Sequence, residues 1–211
     1  IFVDLKQRLA DFITREGMLD KCEEWRERVV IRDLVEGDSN GSDRLKDIYD
    51  GATFQRLFFP GGVFDPDKEG GRATRGCLML QLNFDFFQPF ENWSKYKVGA
   101  VYISVANLPP LERFKRKNMF LVCIIPGPDE PPFTINGYIE HLVQDLKDLE
   151  EGLNVTNPAF LGGILLRAVL ALITCDSPAC RKIMGLAACS STKGCLRCDF
   201  SKRQCNKVMD K

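Results

Sequence analysis

Several features that would point to a function class are scarce or missing in this chain of 211 residues. Its 29 basic and 29 acidic residues cancel, so net charge alone does not indicate a nucleic-acid partner. The longest apolar run, residues 160–175, is interrupted by Arg167 and is too short to span a membrane. Asp4, Lys6 and Arg8 break any apolar core of a secretory signal. With 45% hydrophobic residues, the composition is that of a globular protein.

Histidine is also scarce, and the given sequence does not begin with methionine. His141 is the single histidine, and it lies on a predicted helix, where a partly exposed helix residue is the simpler interpretation. The chain begins with Ile1, so we expect it to be part of a longer protein. Cysteine, by contrast, is plentiful: there are nine, an odd number. In a chain with a sizeable apolar core, reduced thiols and metal ligands are expected rather than a disulfide framework.

Apolar periodicity and turn residues divide the chain into three parts. Residues 1–75 are predicted to be an N-terminal helical extension followed by a polar, glycine-rich loop. Residues 76–188 form the main domain. Residues 189–211 are a cysteine-rich, basic segment, interpreted as the start of a zinc-binding insertion.

The main domain is predicted to contain three buried strands, one helix and a fourth strand, in that order. An apolar strand in residues 76–90 breaks at Gln88-Pro89, and two further β-rich runs cover residues 98–107 and 118–125. Residues 134–151 are predicted to form an amphipathic helix that stops at Gly152. The apolar residues 162–175 follow. Periodicity does not separate a buried helix from a buried strand there, and the β-branched residues near the end favour a strand in the last few positions.

Each of two predicted strands ends in an aspartate, Asp85 or Asp176. A carboxylate at the end of an apolar strand is costly to bury and needs a reason. The order strand-strand-strand-helix-strand is that of a ribonuclease H-like α/β core, in which the first and fourth strands lie side by side. The two carboxylates would then project toward one point. The alternative is an ordinary cap, since Asp176-Ser-Pro-Ala is typical of a helix N-terminus, and one residue can serve both purposes.

Two neighbouring carboxylates suit metal-assisted phosphodiester cleavage. Such cleavage needs an activated water or hydroxyl and a stabilised leaving oxygen, which two Mg²⁺ ions held by hard oxygen ligands provide. We therefore expect Asp85 and Asp176 to bind Mg²⁺ or Mn²⁺ as catalytic acids of a nucleic-acid-cutting enzyme. A third acid is expected from later in the chain.

The cysteines near the end of the chain predict a second metal. Cys195 and Cys198 form a C-x-x-C pair, a spacing that suits two corners of a tetrahedral Zn²⁺ site. Cys189 or Cys205 could complete the site, or other ligands could follow. A thioredoxin-like redox pair is the alternative, although that motif normally opens a helix after a strand.

Basic residues are concentrated in the same region. A basic segment on a neutral body fits phosphate contact, although most such runs are solvated faces. The candidate DNA-binding residues are Arg181, Lys182, Lys193, Arg197, Lys202 and Arg203.

Several stretches together resemble the transposases of CACTA (En/Spm-type) DNA transposons, in their fungal and animal form. They are Cys22-Glu-Glu-Trp-Arg-Glu-Arg28, Asp47-Ile-Tyr-Asp-Gly51, Leu80-Gln-Leu-Asn-Phe-Asp-Phe-Phe-Gln-Pro-Phe90, Val98-Gly-Ala-Val-Tyr-Ile103, Asn107-Leu-Pro-Pro110, Ile124-Ile-Pro-Gly-Pro128, Cys175-Asp-Ser-Pro-Ala-Cys-Arg-Lys182 and Gly194-Cys-Leu-Arg-Cys198. They span most of residues 20–200 in the family's order.

The resemblance implies a ribonuclease H-like domain with an Asp-Asp-Glu triad that performs cut-and-paste transposition. Asp85 falls on the family's first acid and Asp176 on its second, while Cys195 and Cys198 fall on a zinc-binding insertion. It implies a nuclear protein that binds transposon ends and target DNA, works as a homo-oligomer and needs no membrane. The family's glutamate and zinc-binding histidines are expected beyond Lys211.

Two alternatives from other classes remain open. One is a domesticated or inactive transposase-derived domain that binds DNA or protein without cutting. The other is a zinc-stabilised interaction domain with no nucleic-acid role.

Overall fold

A computed structural model describes residues 2–25, 47–51, 75–91, 95–131, 134–157, 160–187 and 190–192. In these ranges five strands form one sheet: β1 (Cys77–Phe87), β2 (Val98–Val105), β3 (Met119–Ile125), β4 (Leu153–Asn157) and β5 (Phe160–Ile173). The α-helices there are α1 (Leu5–Ile13), α2 (Met18–Glu23), α3 (Pro110–Arg113), α4 (Asn136–Glu151) and α5 (Ser177–Met184). Short 3₁₀ turns cover Ile48–Asp50 and Arg116–Asn118. The architecture is mixed α/β.

The strands lie in the order β3-β2-β1-β5-β4. β1, β2 and β3 pair antiparallel in sequence order, which confirms the predicted meander. β5 pairs parallel with β1, so the strand that carries Asp85 and the strand that leads to Asp176 lie side by side as predicted, although β5 ends at Ile173 and not at Asp176. The ribonuclease H-like assignment that rests on this order stays a prediction.

Strand β4 is absent from the predicted order, in which the helix leads directly to the last strand. β4 pairs antiparallel with the first part of β5, with Leu153 opposite Leu166 and Val155 opposite Ile164. Its sequence does alternate apolar and polar residues, and Val155 is buried. Five residues directly after a helix are too short a signal on their own, and the pairing with β5 makes them a strand.

The helices follow the predicted periodicity. α4 begins at Asn136, ends at Glu151 and buries Ile139, Leu142 and Leu149, while Gly152 ends it at a φ of 118°. That positive φ favours glycine because a side chain there would be strained. None of the helices in the described part of the chain has the length and apolar character of a membrane span.

The N-terminal helices share the core of the sheet. Leu5, Leu9 and Phe12 of α1 are fully buried in the same apolar cluster as the inward-facing residues of β1, β2, β3 and α4. The backbone N–H of Leu5 donates to the buried carboxylate of Asp145 on α4 at 3.0 Å. Residues 2–25 are thus built into the main domain, and the division of the chain at residue 75 stays a prediction about its organisation.

Candidate active site

The parallel pairing of β1 and β5 continues past the regular ladder. The last paired residues are Leu82 and Ile173, and the N–H of Thr174 then donates to the carbonyl of Leu82 at 2.8 Å. One residue further, the N–H of Phe84 donates to Sγ of Cys175 at 3.2 Å. The chain that leaves β5 therefore stays beside β1 until α5 begins.

Asp85 and Asp176 lie the same number of residues beyond the last pair of this register. Asp85 follows Leu82 by three residues, and Asp176 follows Ile173 by three residues. Both side chains are exposed. The structure thus brings together the backbones of the two acids singled out in the sequence, and their catalytic role stays a prediction.

Asp85 differs from its expected setting in two ways. β1 does not end on it, because Phe86 and Phe87 continue the strand opposite Gly99 and Val98 of β2. Its side chain is exposed, whereas Phe84, the residue before it on the other face of the strand, is buried. The carboxylate therefore points away from the apolar core. The expected cost of burying a carboxylate does not arise here.

Asp176 caps the helix that follows it. Its Oδ1 accepts a hydrogen bond from the N–H of Ala179 at 2.8 Å, and it is the N-cap residue of α5. Pro178 occupies the first turn, where its missing N–H costs nothing. The capping interpretation is therefore correct for Asp176. It is compatible with a second role, since a carboxylate can accept several hydrogen bonds or bind a cation.

Side chains on β1 hold the segment that leads to Asp176, and sequence reasoning did not single them out. Asn83 donates through Nδ2 to the carbonyl of Thr174 at 2.6 Å, and Gln81 donates through Nε2 to Oγ1 of Thr174 at 2.8 Å. The hydroxyl of Thr174 in turn donates to the carbonyl of Leu82 at 3.3 Å. Period-two alternation with Asp85 was the available signal, because it places Gln81 and Asn83 on the same strand face.

A charged cluster packs α5 against the end of β1. Glu130 accepts hydrogen bonds from Lys182 of α5 and from Lys97, the latter at 2.5 Å. Nζ of Lys182 also lies 4.8 Å from the centroid of the Phe86 ring. The hydrogen bonds from Lys182 and Lys97 lower the pKa of the Glu130 carboxyl, so Glu130 is ionised at neutral pH.

The candidate DNA-binding residues fall into two groups. Arg181 is buried and donates through Nη1 to the carbonyl of Ala187 at 2.7 Å, just past the end of α5. Lys182 makes the contacts with Glu130 and Phe86. Both cations thus have intramolecular roles, and DNA contact by them stays a prediction. The remaining four, Lys193, Arg197, Lys202 and Arg203, lie outside the described residues.

A sequence model described as "Transposase family tnp2" matches residues 66–211, well over half of the chain. The chain belongs to the tnp2 family of transposases. The matched region includes all five strands, both acids and the cysteine-rich segment. Searches of curated proteins and of solved structures found no match.

The metal donors in the described part of this tnp2-family chain are few. Within the described ranges no group of three or more histidine, cysteine, aspartate or glutamate side chains could hold a metal ion. Two carboxylates, however, fit Mg²⁺, which is usually held by one or two protein carboxylates together with waters and substrate phosphates. Asp85 and Asp176 have this donor chemistry. The proposed zinc ligands Cys189, Cys195, Cys198 and Cys205 lie outside the described residues.

Two other stretches of the tnp2-family chain build the opposite end of β1. Asn107 accepts a hydrogen bond from the N–H of Met79 at 2.6 Å and donates to the carbonyl of Cys77 at 3.1 Å. Tyr49 donates to the carbonyls of Ala106 and Leu108. Asp47-Ile-Tyr-Asp-Gly51 and Asn107-Leu-Pro-Pro110 therefore stabilise the fold at the end where β1 begins, remote from Asp85.

Proposed function

We propose that this chain carries the first two acids of the catalytic site of a CACTA-type transposase with a ribonuclease H-like core. The reaction would be metal-dependent hydrolysis at transposon ends, followed by attack of the freed 3′-hydroxyl on a phosphodiester of target DNA in the nucleus, which joins the transposon end to the target and releases a 3′-hydroxyl of the target strand. One observation supports the proposal: β5 runs parallel beside β1, and the segment that leads from β5 to Asp176 stays in contact with Asn83 and Phe84, next to Asp85. Membership of a transposase family independently makes DNA the expected partner.

The backbone around each acid suits a rigid metal site. Asp85 lies in a strand with a neighbour on each side, since β1 pairs with β2 at Asp85 itself and with β5 up to Leu82. Asp176 is held by its hydrogen bond to Ala179, which uses Oδ1 and leaves Oδ2 for a cation. Carboxylates held by regular elements keep their geometry better than carboxylates on loops.

The division of labour follows from these positions. Bound divalent cations would activate a water or hydroxyl for attack and stabilise the leaving oxygen of the phosphodiester. Asp85 and Asp176 would hold the cations and, through them, orient the scissile phosphate. The third acid of such a site is not assigned to a residue.

The cysteine-rich segment is proposed to bind Zn²⁺ through Cys195 and Cys198, with Cys189 and Cys205 as the nearest further ligands. C-x-x-C spacing supports this assignment. Lys193, Arg197, Lys202 and Arg203 surround these cysteines in the sequence, so a zinc-folded segment would also carry positive charge for DNA phosphates. Assembly into a homo-oligomer on DNA is part of the same proposal.

Calorimetric titration with Mn²⁺ tests the acid pair. We compare the wild-type chain with Asp85→Asn and Asp176→Asn, and use Asp11→Asn on the exposed face of α1 as a matched control. Each site variant is expected to lose about 10-fold or more in affinity, because carboxylate charge dominates binding at such sites. Unchanged Mn²⁺ binding in both site variants would refute the assignment. Binding of DNA without any binding of Mn²⁺ would favour the inactive, DNA-binding alternative.

A further inference from the structure

Thr174 is the point at which β1 grips the segment that carries Asp176. Four hydrogen bonds join Thr174 to β1, through its N–H, its carbonyl and its hydroxyl as both donor and acceptor. Three of them involve Leu82 or Gln81. The fourth comes from the side-chain amide of Asn83 and is the shortest, at 2.6 Å.

The direction of the Asn83 bond is unambiguous. A backbone carbonyl oxygen can only accept, so the amide must present its NH₂ group to Thr174. Asn83 precedes Asp85 by two residues on the same face of β1, and Thr174 precedes Asp176 by two residues. The bond therefore links equivalent positions before the two acids.

Regular pairing alone does not extend to this level. The paired register of β1 and β5 ends at Leu82 and Ile173, and beyond Thr174 the chain turns into α5. The described links from the residues of β1 beyond Leu82 to this segment run through side chains: the amide of Asn83, Sγ of Cys175 and, within α5 itself, Lys182 over the ring of Phe86. The separation of the two carboxylates consequently depends on these side chains.

We propose that Asn83 is a positioning residue for the acid pair: by holding the carbonyl of Thr174, its amide sets the distance between the carboxylates of Asp85 and Asp176. This inference rests on the proposed function, because it assigns a role relative to that metal site. Metal sites need their ligands within about 0.5 Å of the productive geometry, so one hydrogen bond at this point matters to affinity.

Asn83→Leu removes the donor but keeps the number and branching of the side-chain heavy atoms, and Asn83→Gln keeps an amide donor on a longer side chain. Gln7→Leu is the matched control, since it removes a hydrogen bond of 2.8 Å that the side-chain amide of Gln7 donates to Asp11 on the exposed surface of α1. All are titrated with Mn²⁺ by calorimetry, and their melting temperatures are measured without metal. Asn83→Ser, too short to reach Thr174, replaces Asn83→Leu should the apolar variant not fold.

We expect Asn83→Leu to weaken Mn²⁺ binding about 10-fold, the usual effect of losing a residue that orients a ligand. Asn83→Gln should recover most of the affinity, and the melting temperature of Asn83→Leu should match that of Gln7→Leu. Equal losses in the Leu and Gln variants would overturn the positioning role. Wild-type affinity in Asn83→Leu, with reduced affinity in Asp85→Asn, would overturn this inference alone. Wild-type affinity in Asp85→Asn and Asp176→Asn would instead overturn the proposed function.

Discussion

Both carboxylate oxygens of Asp47 accept hydrogen bonds from Nη2 of Arg113 at 3.0 Å, and both side chains are buried. The same nitrogen donates to the carbonyl of Leu108 at 2.9 Å, and the guanidinium carbon lies 5.7 Å from the centroid of the Tyr49 ring. A charge pair taken out of water in this way ties residues 47–51 to the helix α3. The pair thereby stabilises the structure around the start of β1, the end of the strand that is remote from Asp85.

Arg113→Met is expected to destabilise the chain by about 3–5 kcal/mol, because it leaves the buried carboxylate of Asp47 uncompensated. Urea unfolding followed by circular dichroism measures the change. Arg75→Met is the control: Arg75 pairs with Asp20 at the surface, where such a pair contributes at most about 1 kcal/mol. A loss in Arg113→Met no larger than in the control would show that the buried pair does not stabilise the fold.

The cluster of Glu130, Lys97 and Lys182 should make the stability of the fold depend on pH in the acidic range. The pKa of Glu130 is lowered from an ordinary value of 4.5, so its ionised form stabilises the folded state. This contribution is complete above pH 4.5 and disappears as the pH falls through the lower folded-state pKa.

Glu130→Gln should therefore be less stable than the wild type at pH 7, by about 1 kcal/mol, and the difference should shrink as the pH falls below 4.5. Unfolding in urea across this pH range measures it. Glu140→Gln, an exposed substitution on α4, should show no comparable pH-dependent difference. A constant difference for Glu130→Gln at all pH values would contradict the charged role.

The observed helix cap and the proposed metal binding of Asp176 can be separated by substitution. Asparagine caps helices about as well as aspartate, whereas alanine loses roughly 1 kcal/mol. Asp176→Asn should therefore keep its stability but lose Mn²⁺ affinity, and Asp176→Ala should lose both. Thermal unfolding and calorimetry give the two readouts.

Asp4 offers a matched cap without a metal role. Its Oδ1 accepts a hydrogen bond from the N–H of Gln7 at 3.0 Å, as Asp176 does from Ala179. Asp4→Ala should lose a similar amount of stability and bind Mn²⁺ like the wild type. If Asp176→Asn also binds Mn²⁺ like the wild type, Asp176 is a cap only.

The zinc content of the chain tests the proposed ligands of the cysteine-rich segment. We expect about one Zn²⁺ per chain by elemental analysis, lost on chelation or in Cys195→Ser, since a thiolate ligand cannot be replaced by a hydroxyl at such a site. Cys22→Ala, which alters a buried cysteine of the apolar core, should keep its zinc. Full zinc content in Cys195→Ser would exclude Cys195 as a ligand.

Much of the fold could be predicted from the order of apolar residues. Alternation and β-branched residues indicated β1, β2, β3 and β5, and the helical period with Gly152 indicated α4. Asp145 shows where the pattern failed. A charged residue on a helix is expected to be exposed, yet Asp145 is buried. Its carboxylate accepts a hydrogen bond from the N–H of Leu5, which lies far away in the sequence. Only packing of α1 against α4 creates that partner.

By itself, the sequence determined most of the segments that become strands and helices, since apolar periodicity is a local property, whereas β4 depended on its pairing with β5. It also singled out Asp85, Asp176 and the C-x-x-C pair. The tertiary structure decided how far the two segments stay together: β5 pairs with β1 up to Ile173, and the chain beyond it remains beside β1 as far as Cys175. It also decided that Asn83 holds Thr174, because a hydrogen bond between residues distant in the chain depends on strand register, which no local pattern encodes.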